Sequence, residues 1–184
     1  MSLTPSNILE RGTLASDFTL LDTISEKIIS LQELKGERGT IIFFICNHCP
    51  FVIHINRELV QLAKDYTTRG FSFIAISSND AEKYPMDGPE KMKIHATKEH
   101  YPFPYLYDET QEVAKAYNAA CTPDLYVFDG NLTSVYHGQL DDSRPGNDLP
   151  VTGIDIREVL DLLESEKPYT GIPKPSIGCN IKWK

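Results

Sequence analysis

The stretch TIIFFICNHCPFVIH, residues 40–54, constrains the fold more than any other part of the chain. Residues 40–45 form an unbroken β-branched and aromatic run, which is typical of a strand buried on both faces of a sheet. Between Val52 and Tyr66 the apolar residues recur at helical spacing, which predicts an amphipathic helix over residues 49–69. A buried strand that leads directly into such a helix indicates an α/β fold.

The remaining pattern predicts a mixed sheet. Further strands are expected at residues 17–20, 27–30 and 71–77, with a hairpin at residues 125–138; further helices are expected at residues 88–100, 111–118 and 156–163. This order predicts a central mixed β-sheet flanked by helices on both faces, with an N-terminal β-hairpin and an inserted strand-helix unit.

The length of 184 residues fits one domain. We expect its core to span about residues 13–165. Residues 166–184 contain several prolines and glycines, and we expect them to form an extended tail on the surface.

Composition narrows the choice of partners and compartment. The net charge of −8 argues against nucleic acid or an anionic membrane as the main partner. The N-terminus lacks the pattern of a signal peptide, and no apolar run is long enough for a membrane span, so we expect a cytoplasmic protein. We expect a monomer or weak dimer. Four cysteines are too few and too unevenly spaced for a secreted disulfide scaffold.

Cys46 and Cys49 form a C-x-x-C pair at the junction of strand and helix. A thiolate is the reactive form of cysteine, and the N-terminus of a helix stabilises negative charge. We expect Cys46 to lie at this N-terminus and to attack, with His48 supporting its thiolate. Cys49, one turn further on, would be the buried resolving thiol. This interpretation needs no organic cofactor and no metal.

Two other interpretations of the same residues are a metal site and a pair of ordinary buried thiols. The spacing C-x2-C-x4-H, which ends at His54, matches three ligands of a zinc knuckle, but Leu59 stands where the fourth ligand belongs. The other two cysteines are more than 70 residues away along the chain. A redox pair is therefore the favoured interpretation, with no metal.

The segments FFICNHCPF and DFTLLDTISEKIISLQELKGERGTIIFF resemble the thioredoxin-like superfamily, and more narrowly its redoxin branch. That branch groups TlpA/ResA-type thiol–disulfide oxidoreductases with alkyl-hydroperoxide-reductase/thiol-specific-antioxidant proteins, the peroxiredoxins. The resemblance covers about residues 13–165. It implies a thioredoxin-like fold and thiol–disulfide exchange with protein or small-molecule substrates, with a cellular thiol as reductant.

The resemblance also implies residue roles. The segment CTPDLYVFDG resembles the family's cis-proline segment, which places Thr122 and a cis Pro123 beside the C-x-x-C. The backbone of Thr122 would pair with a substrate strand. Cys46 resembles the exposed attacking cysteine and Cys49 the resolving one.

The chain departs from the family pattern at several places. Thioredoxins bury a carboxylate near the resolving cysteine, and it is missing here, because Thr40 stands at about that position. Glu58 and Asp124 are the candidate replacements. If neither takes that role, we expect both to be solvated residues. Peroxiredoxins place their peroxidatic cysteine at the position of Cys49 and need an arginine where this chain has CTPD. Because Cys49 matches the peroxidatic position but the arginine is missing, a thiol peroxidase with a peroxidatic Cys49 is kept as the alternative function. A second alternative is a non-catalytic thioredoxin-fold binding module.

Several further features keep two interpretations each. Cys121 is either an extra redox thiol or a small buried hydrophobe. Cys179 is expected to be a packing residue in the tail, although its pairing stays open. The segment at residues 79–92 is either a solvated connector or a loop that shapes substrate access. His137 is expected at the surface.

Overall fold

The computed structural model describes residues 3–184. Its strands are β1 (Leu3–Pro5), β2 (Thr19–Asp22), β3 (Lys27–Ser30), β4 (Gly39–Phe44), β5 (Phe71–Ser77), β6 (Tyr105–Tyr107), β7 (Cys121–Thr122), β8 (Asp124–Asp129), β9 (Ser134–Gly138) and β10 (Ile177–Asn180). Its helices are α1 (Leu31–Leu34), α2 (Pro50–Tyr66), α3 (Pro89–Lys98), α4 (Glu112–Ala116) and α5 (Ile154–Glu164).

Seven strands form the central sheet in the order β3-β2-β6-β5-β4-β8-β9. Strand β4 pairs in parallel with β5 and antiparallel with β8, and β5 pairs in parallel with β6. The predicted mixed sheet is therefore confirmed. Strand β4 lies between two neighbours and is buried along its whole length, as its apolar run predicts.

The core lies on both faces of this sheet. Ile41 and Phe43 of β4 belong to one apolar cluster, which includes buried residues of α2, α3 and α5. Ile42 and Phe44 point to the opposite face and pack with buried residues of α1 and α4. The alternation follows from the two-residue period of a strand. Helices flank the sheet on both faces, as predicted.

Helix α2 starts at Pro50, one residue after the predicted start at residue 49. Pro50 occupies its first turn, where a missing N–H costs nothing, and Cys49 is the residue that caps it. The helix ends at Tyr66, and a 3₁₀ turn leads to Gly70, whose φ of 90° favours glycine. Cys49, rather than Cys46, therefore lies at the helix N-terminus.

A second sheet of three strands, in the order β1-β10-β7, was not predicted. The tail supplies its middle strand β10, which pairs antiparallel with β1 on one side and with β7 on the other. Cys179 and Ile181 are buried. The expectation of a tail that lies wholly on the surface is therefore wrong, because this part completes a sheet.

Within residues 3–184, no helix combines the length and the apolar character that crossing a membrane requires.

Candidate redox site

The two cysteines of the C-x-x-C lie at the carboxyl edge of β4. Cys46 follows the end of β4 by two residues, and Cys49 caps α2. The parallel neighbour β5 ends at the same edge. In open α/β sheets this edge is where ligands and reactive groups collect. All four cysteines of the chain are thiols.

Thr122 and Pro123 lie against both thiols, where the resemblance places them. The Thr122–Pro123 peptide bond is cis. Cys49 Sγ lies 3.1 Å from the carbonyl oxygen of Thr122, to which the protonated thiol donates, and Cys46 Sγ lies 3.5 Å from Thr122 Oγ1. One residue therefore contacts both members of the pair.

The pKa values of the two thiols shift in opposite directions. The pKa of Cys49 is lowered to about 5, first by the neighbouring Cys46 thiol, then by Cys179 and the backbone of Val52, against the cost of burial. Sharing its proton with Cys49 raises the pKa of Cys46, and burial and the charge of Asp87 raise it further. The helix terminus therefore stabilises a thiolate on Cys49, whereas the sequence led us to expect it on Cys46.

Both thiols are shielded from solvent. The exposed fraction is 1% for Cys46 and 0% for Cys49, so the expectation of an exposed Cys46 is wrong for this structure. Part of the cover comes from the segment that follows β5. The side-chain amide of Asn47 donates a hydrogen bond to the carbonyl oxygen of Met86, and the backbone N–H of Asn47 donates one to the carboxylate of Asp87. Residues 79–92 are therefore anchored beside the site through Met86 and Asp87, while residues 82–86 are exposed to solvent.

Asp87 is the carboxylate beside this site, and sequence reasoning missed it. It is fully buried, and its oxygens accept hydrogen bonds from the backbone of Asn47 and the side chain of Asn79. Its Oδ2 also lies 2.8 Å from Nδ1 of His48. His48 therefore faces a carboxylate, and its ring stacks on Tyr84.

Three ligand atoms, from Cys46, His48 and Asp87, lie within 4.8 Å of one another and are the group best placed to hold a cation. Both oxygens of Asp87 already accept hydrogen bonds from asparagines. His54, the third residue of the zinc-knuckle spacing, lies elsewhere: its Nε2 is 2.7 Å from Ser143 Oγ. The spacing that suggested a zinc knuckle does not bring its three residues together here.

Cys179 is the third cysteine that contacts the pair. Its Sγ lies 2.9 Å from Cys49 Sγ, although 130 residues separate the two along the chain. The sequence carried no signal for this contact, because it depends on the register of β10 against β7. In that register Cys179 lies opposite Thr122, which itself contacts both thiols of the C-x-x-C.

Cys121 has a different environment. Its buried Sγ contacts the carbonyl oxygen of Pro123 at 3.5 Å, and burial raises its pKa strongly, with the charge of Asp124 adding to the effect. These properties match a small buried hydrophobe better than a redox thiol.

The two candidate bases have structural partners. Glu58 forms an ion pair with Arg157 of α5, 2.6 Å away. Asp124 is fully buried, and its Oδ1 lies 2.7 Å from Nε2 of His137. The expectations of a solvated Asp124 and a surface His137 are therefore wrong, because the two side chains pair between β8 and β9. The ring of His137 stacks on Tyr126 at a centroid distance of 3.9 Å.

Sequence and structure comparisons relate this chain to known proteins. The sequence model of the AhpC/TSA family matches residues 12–136. No curated protein matches the chain. The crystal structure of an uncharacterized conserved protein from Geobacillus kaustophilus is 57% identical, has a TM-score of 0.98, and the match covers 100% of this chain and 97% of that one.

More distant solved structures share the fold. A thiol:disulfide interchange protein of the thioredoxin family from Chlorobium tepidum is 19% identical with a TM-score of 0.64, over 85% of this chain and 99% of that one. Peroxidoxin BcpB from Mycobacterium tuberculosis is 17% identical with a TM-score of 0.65, over 86% and 98%. The family model spans more than half of the chain. This protein therefore has a thioredoxin-like fold and belongs to the AhpC/TSA family.

Proposed function

We propose that this protein is a thiol–disulfide oxidoreductase that works by dithiol–disulfide exchange through Cys46 and Cys49. The observation that carries the proposal is that both thiols lie against one residue: Cys46 Sγ is 3.5 Å from Thr122 Oγ1, and Cys49 Sγ is 3.1 Å from the Thr122 carbonyl oxygen. Two thiols held beside the same residue can form a disulfide with each other once one of them has reacted. The proposed substrates are protein or small-molecule disulfides in the cytoplasm, with a cellular thiol as reductant.

The proposed reaction has two steps. The Cys49 thiolate attacks one sulfur of the substrate disulfide, which forms a mixed disulfide and releases the other substrate sulfur as a thiolate. The sulfur of Cys46 then loses its proton and attacks Cys49 Sγ, which forms the Cys46–Cys49 disulfide and releases the second substrate thiolate. One substrate thiolate takes the proton that Cys46 lost, and the other takes a proton from solvent. One substrate disulfide is reduced for each protein dithiol oxidised.

This assignment reverses the roles expected from the sequence. Two structural features support Cys49 as the attacking sulfur: its lowered pKa and its position at the N-terminus of α2. Cys46 has a raised pKa and the carboxylate of Asp87 near it, both of which disfavour its thiolate. Once Cys49 is in a mixed disulfide it carries no charge and no longer raises the pKa of Cys46 in this way, so the Cys46 thiolate that resolves the disulfide forms more easily, and its closeness to Cys49 raises its effective concentration.

A trapping experiment tests the proposal and the assignment of roles together. We use a Cys179→Ser background, which removes the other thiol near Cys49, and compare Cys46→Ser with Cys49→Ser after exposure to glutathione disulfide. The proposal predicts a stable glutathione adduct on Cys49 in the Cys46→Ser protein. An adduct that forms only on Cys46, in the Cys49→Ser protein, would return the attack to Cys46. If neither protein forms an adduct, exchange is not the function and the binding-module alternative gains support.

Peroxide reduction is the second candidate function. The lowered pKa of Cys49 favours it, because the family resemblance assigns the peroxidatic role to this position and peroxide oxidises thiolates to sulfenic acid. The electrostatic environment argues against it. The charge of Asp87 disfavours a thiolate on Cys46, and the chain has CTPD where the family resemblance implies that peroxiredoxins need an arginine. Peroxide turnover faster than disulfide turnover would favour the peroxidase.

The lowered pKa of Cys49 predicts how the stability of the reduced protein depends on pH. An unfolded cysteine has a pKa of about 8.5, and that of Cys49 in the folded protein is about 5. Between these values the unfolded chain binds the extra proton, so the free energy of unfolding rises with pH, by at most about 1.4 kcal/mol per pH unit. Above about pH 8.5 the raised pKa of Cys46 reverses the trend.

Urea unfolding of the reduced protein measures this dependence. The slope between about pH 6.5 and about pH 8 should be much smaller in Cys49→Ser, whereas the part below about pH 6.5 that comes from His95, whose pKa is lowered by burial, should remain. Cys121→Ser is the matched control: its thiol is buried and has a raised pKa, so it contributes nothing to the slope in this range. Equal slopes in the wild-type and Cys49→Ser proteins would show that Cys49 carries no thiolate.

A further inference from the structure

Cys179 occupies a position from which it can form a disulfide with Cys49. The two sulfurs are 2.9 Å apart, and a disulfide bond is about 2.0 Å long, so less than an ångström of movement separates contact from bond. The exposed fraction is 0% for Cys49 and 4% for Cys179. The contact is therefore inside the protein and is not an accident of two mobile surface side chains.

Strand pairing on both sides fixes the backbone of Cys179. In the small sheet it lies opposite Thr122 of β7 on one side and opposite Leu3 of β1 on the other. The preceding Gly178 lies so close to β7 that an added Cβ would be 2.0 Å from the carbonyl oxygen of Thr122. The register of β10 therefore presents this thiol to the C-x-x-C.

The strand that holds Cys179 also occupies the edge where a substrate strand was expected to pair. The family resemblance implies that the backbone of Thr122 pairs with a substrate, and here β10 pairs with it. A cysteine of the chain's own tail thus takes the place of a substrate cysteine, within reach of Cys49.

The charges around Cys179 suit a thiol that reacts after Cys49 has done so. Burial raises the pKa of Cys179 to about 12, together with the hydrogen bond to Cys49 and its charge, while Lys182 lowers it. When Cys49 is in a disulfide it carries no charge, so the contribution of Cys49 disappears and that of Lys182 remains. The thiolate of Cys179 is then easier to form.

We propose that Cys179 is a second resolving thiol of this site. The inference rests on the exchange function proposed above. In the step that we assign to it, the Cys179 thiolate attacks Cys49 Sγ of a mixed disulfide. The Cys49–Cys179 bond forms, the bond between Cys49 and the substrate sulfur breaks, and the substrate leaves as a thiolate that takes the proton lost by Cys179. The electrons balance without any further oxidant.

The test uses Cys46→Ser, which removes the Cys46 thiol and keeps the contact between Cys49 and Cys179. The protein is refolded from denaturant in a glutathione redox buffer, so that burial does not limit access, and its disulfides are mapped on peptides after acid quenching. Cys46→Ala serves as the second variant if serine prevents folding at this buried position. The double variants are Cys46→Ser/Cys179→Ser and Cys46→Ser/Cys121→Ser, the latter a matched control on the neighbouring strand.

We expect a Cys49–Cys179 disulfide in Cys46→Ser and in the Cys121 control, and a lasting glutathione adduct on Cys49 in Cys46→Ser/Cys179→Ser. Release of glutathione from Cys49 should be at least about 100-fold faster when Cys179 is present, because the thiol is held in place. An adduct that lasts equally long with and without Cys179 would overturn the inference.

The same buffer separates this inference from the proposed function. If the wild-type protein forms a Cys46–Cys49 disulfide while Cys46→Ser lacks the Cys49–Cys179 bond, only the role of Cys179 fails. If the wild-type protein forms no Cys46–Cys49 disulfide, the proposed function fails, whatever Cys179 does.

Discussion

Replacing Cys49 with serine should lower the rate of disulfide exchange by at least about 1,000-fold, in the range seen when a catalytic nucleophile is removed. Cys49 Sγ lies 2.9 Å from Cys179 Sγ, and Cys49 and Cys46 both lie against Thr122. The loss of Cys49 therefore removes the proposed thiolate and both disulfides that we propose for the site. The measurement is the rate at which the reduced protein turns over glutathione disulfide in the presence of an excess of a thiol reductant.

Cys121→Ser is the control for this experiment. It also places a hydroxyl where a buried thiol was, but Cys121 contacts the Pro123 carbonyl and not the reactive pair. We expect its exchange rate to stay within about threefold of wild type, since it changes no reacting group. A Cys49→Ser protein that keeps more than a tenth of the wild-type rate would contradict the role given to Cys49.

Gly178→Ala should expose the buried thiols. An added Cβ would lie 2.0 Å from the carbonyl oxygen and 2.6 Å from the carbonyl carbon of Thr122, and both are backbone atoms that no side-chain rotation can move. The strand β10 must therefore shift away from β7. We expect Cys49 to react with iodoacetamide about 100-fold faster, which corresponds to a decrease of about 2.7 kcal/mol in the free energy of local opening.

Gly88→Ala is the matched control. It adds the same methyl group next to the segment that covers the site, but the nearest atom would be 3.4 Å away, an ordinary contact. Its alkylation rate should equal that of the wild-type protein. An unchanged alkylation rate in Gly178→Ala would mean that β10 does not limit access to Cys49. Access would then be limited by residues 79–92, the segment that contains Asp87.

The sequence predicted the elements that local patterns define. The apolar run before Cys46 and the helical spacing after Cys49 each point to one kind of element, so the residue pattern alone places their junction. The resemblance supplied the position of Thr122 and Pro123 beside the thiols. The central mixed sheet with helices on both faces follows from the order of these elements.

The parts that could not be predicted depend on contacts between distant segments. The tail has no alternating pattern, and nothing in it indicates that β10 pairs with a strand of two residues or that Cys179 reaches Cys49. Asp87 was not singled out, and Asp124 was a candidate base that was otherwise expected to be solvated. Their burial is explained by partners elsewhere: asparagines beside the site for Asp87, and His137 for Asp124.

The charge of the pair was misplaced for a local reason. The predicted helix start was correct to within one residue, but the stabilisation of charge by a helix terminus falls off within the first turn. Cys49 caps the helix, and Cys46 lies three residues before it, near Asp87. The expectation therefore went wrong by assigning the effect of the helix N-terminus to Cys46, when Cys49 is the residue at that terminus.

A glutathione redox titration of the wild-type protein, with all four cysteines mapped at each potential and hydrogen peroxide turnover measured in parallel, decides between disulfide exchange and peroxide reduction. We expect a reversible disulfide that includes Cys49, joined to Cys46 or to Cys179, and disulfide turnover that exceeds peroxide turnover. Rapid peroxide turnover through a sulfenic acid on Cys49, with little exchange, would contradict this expectation and would place the protein with the peroxidases of its family.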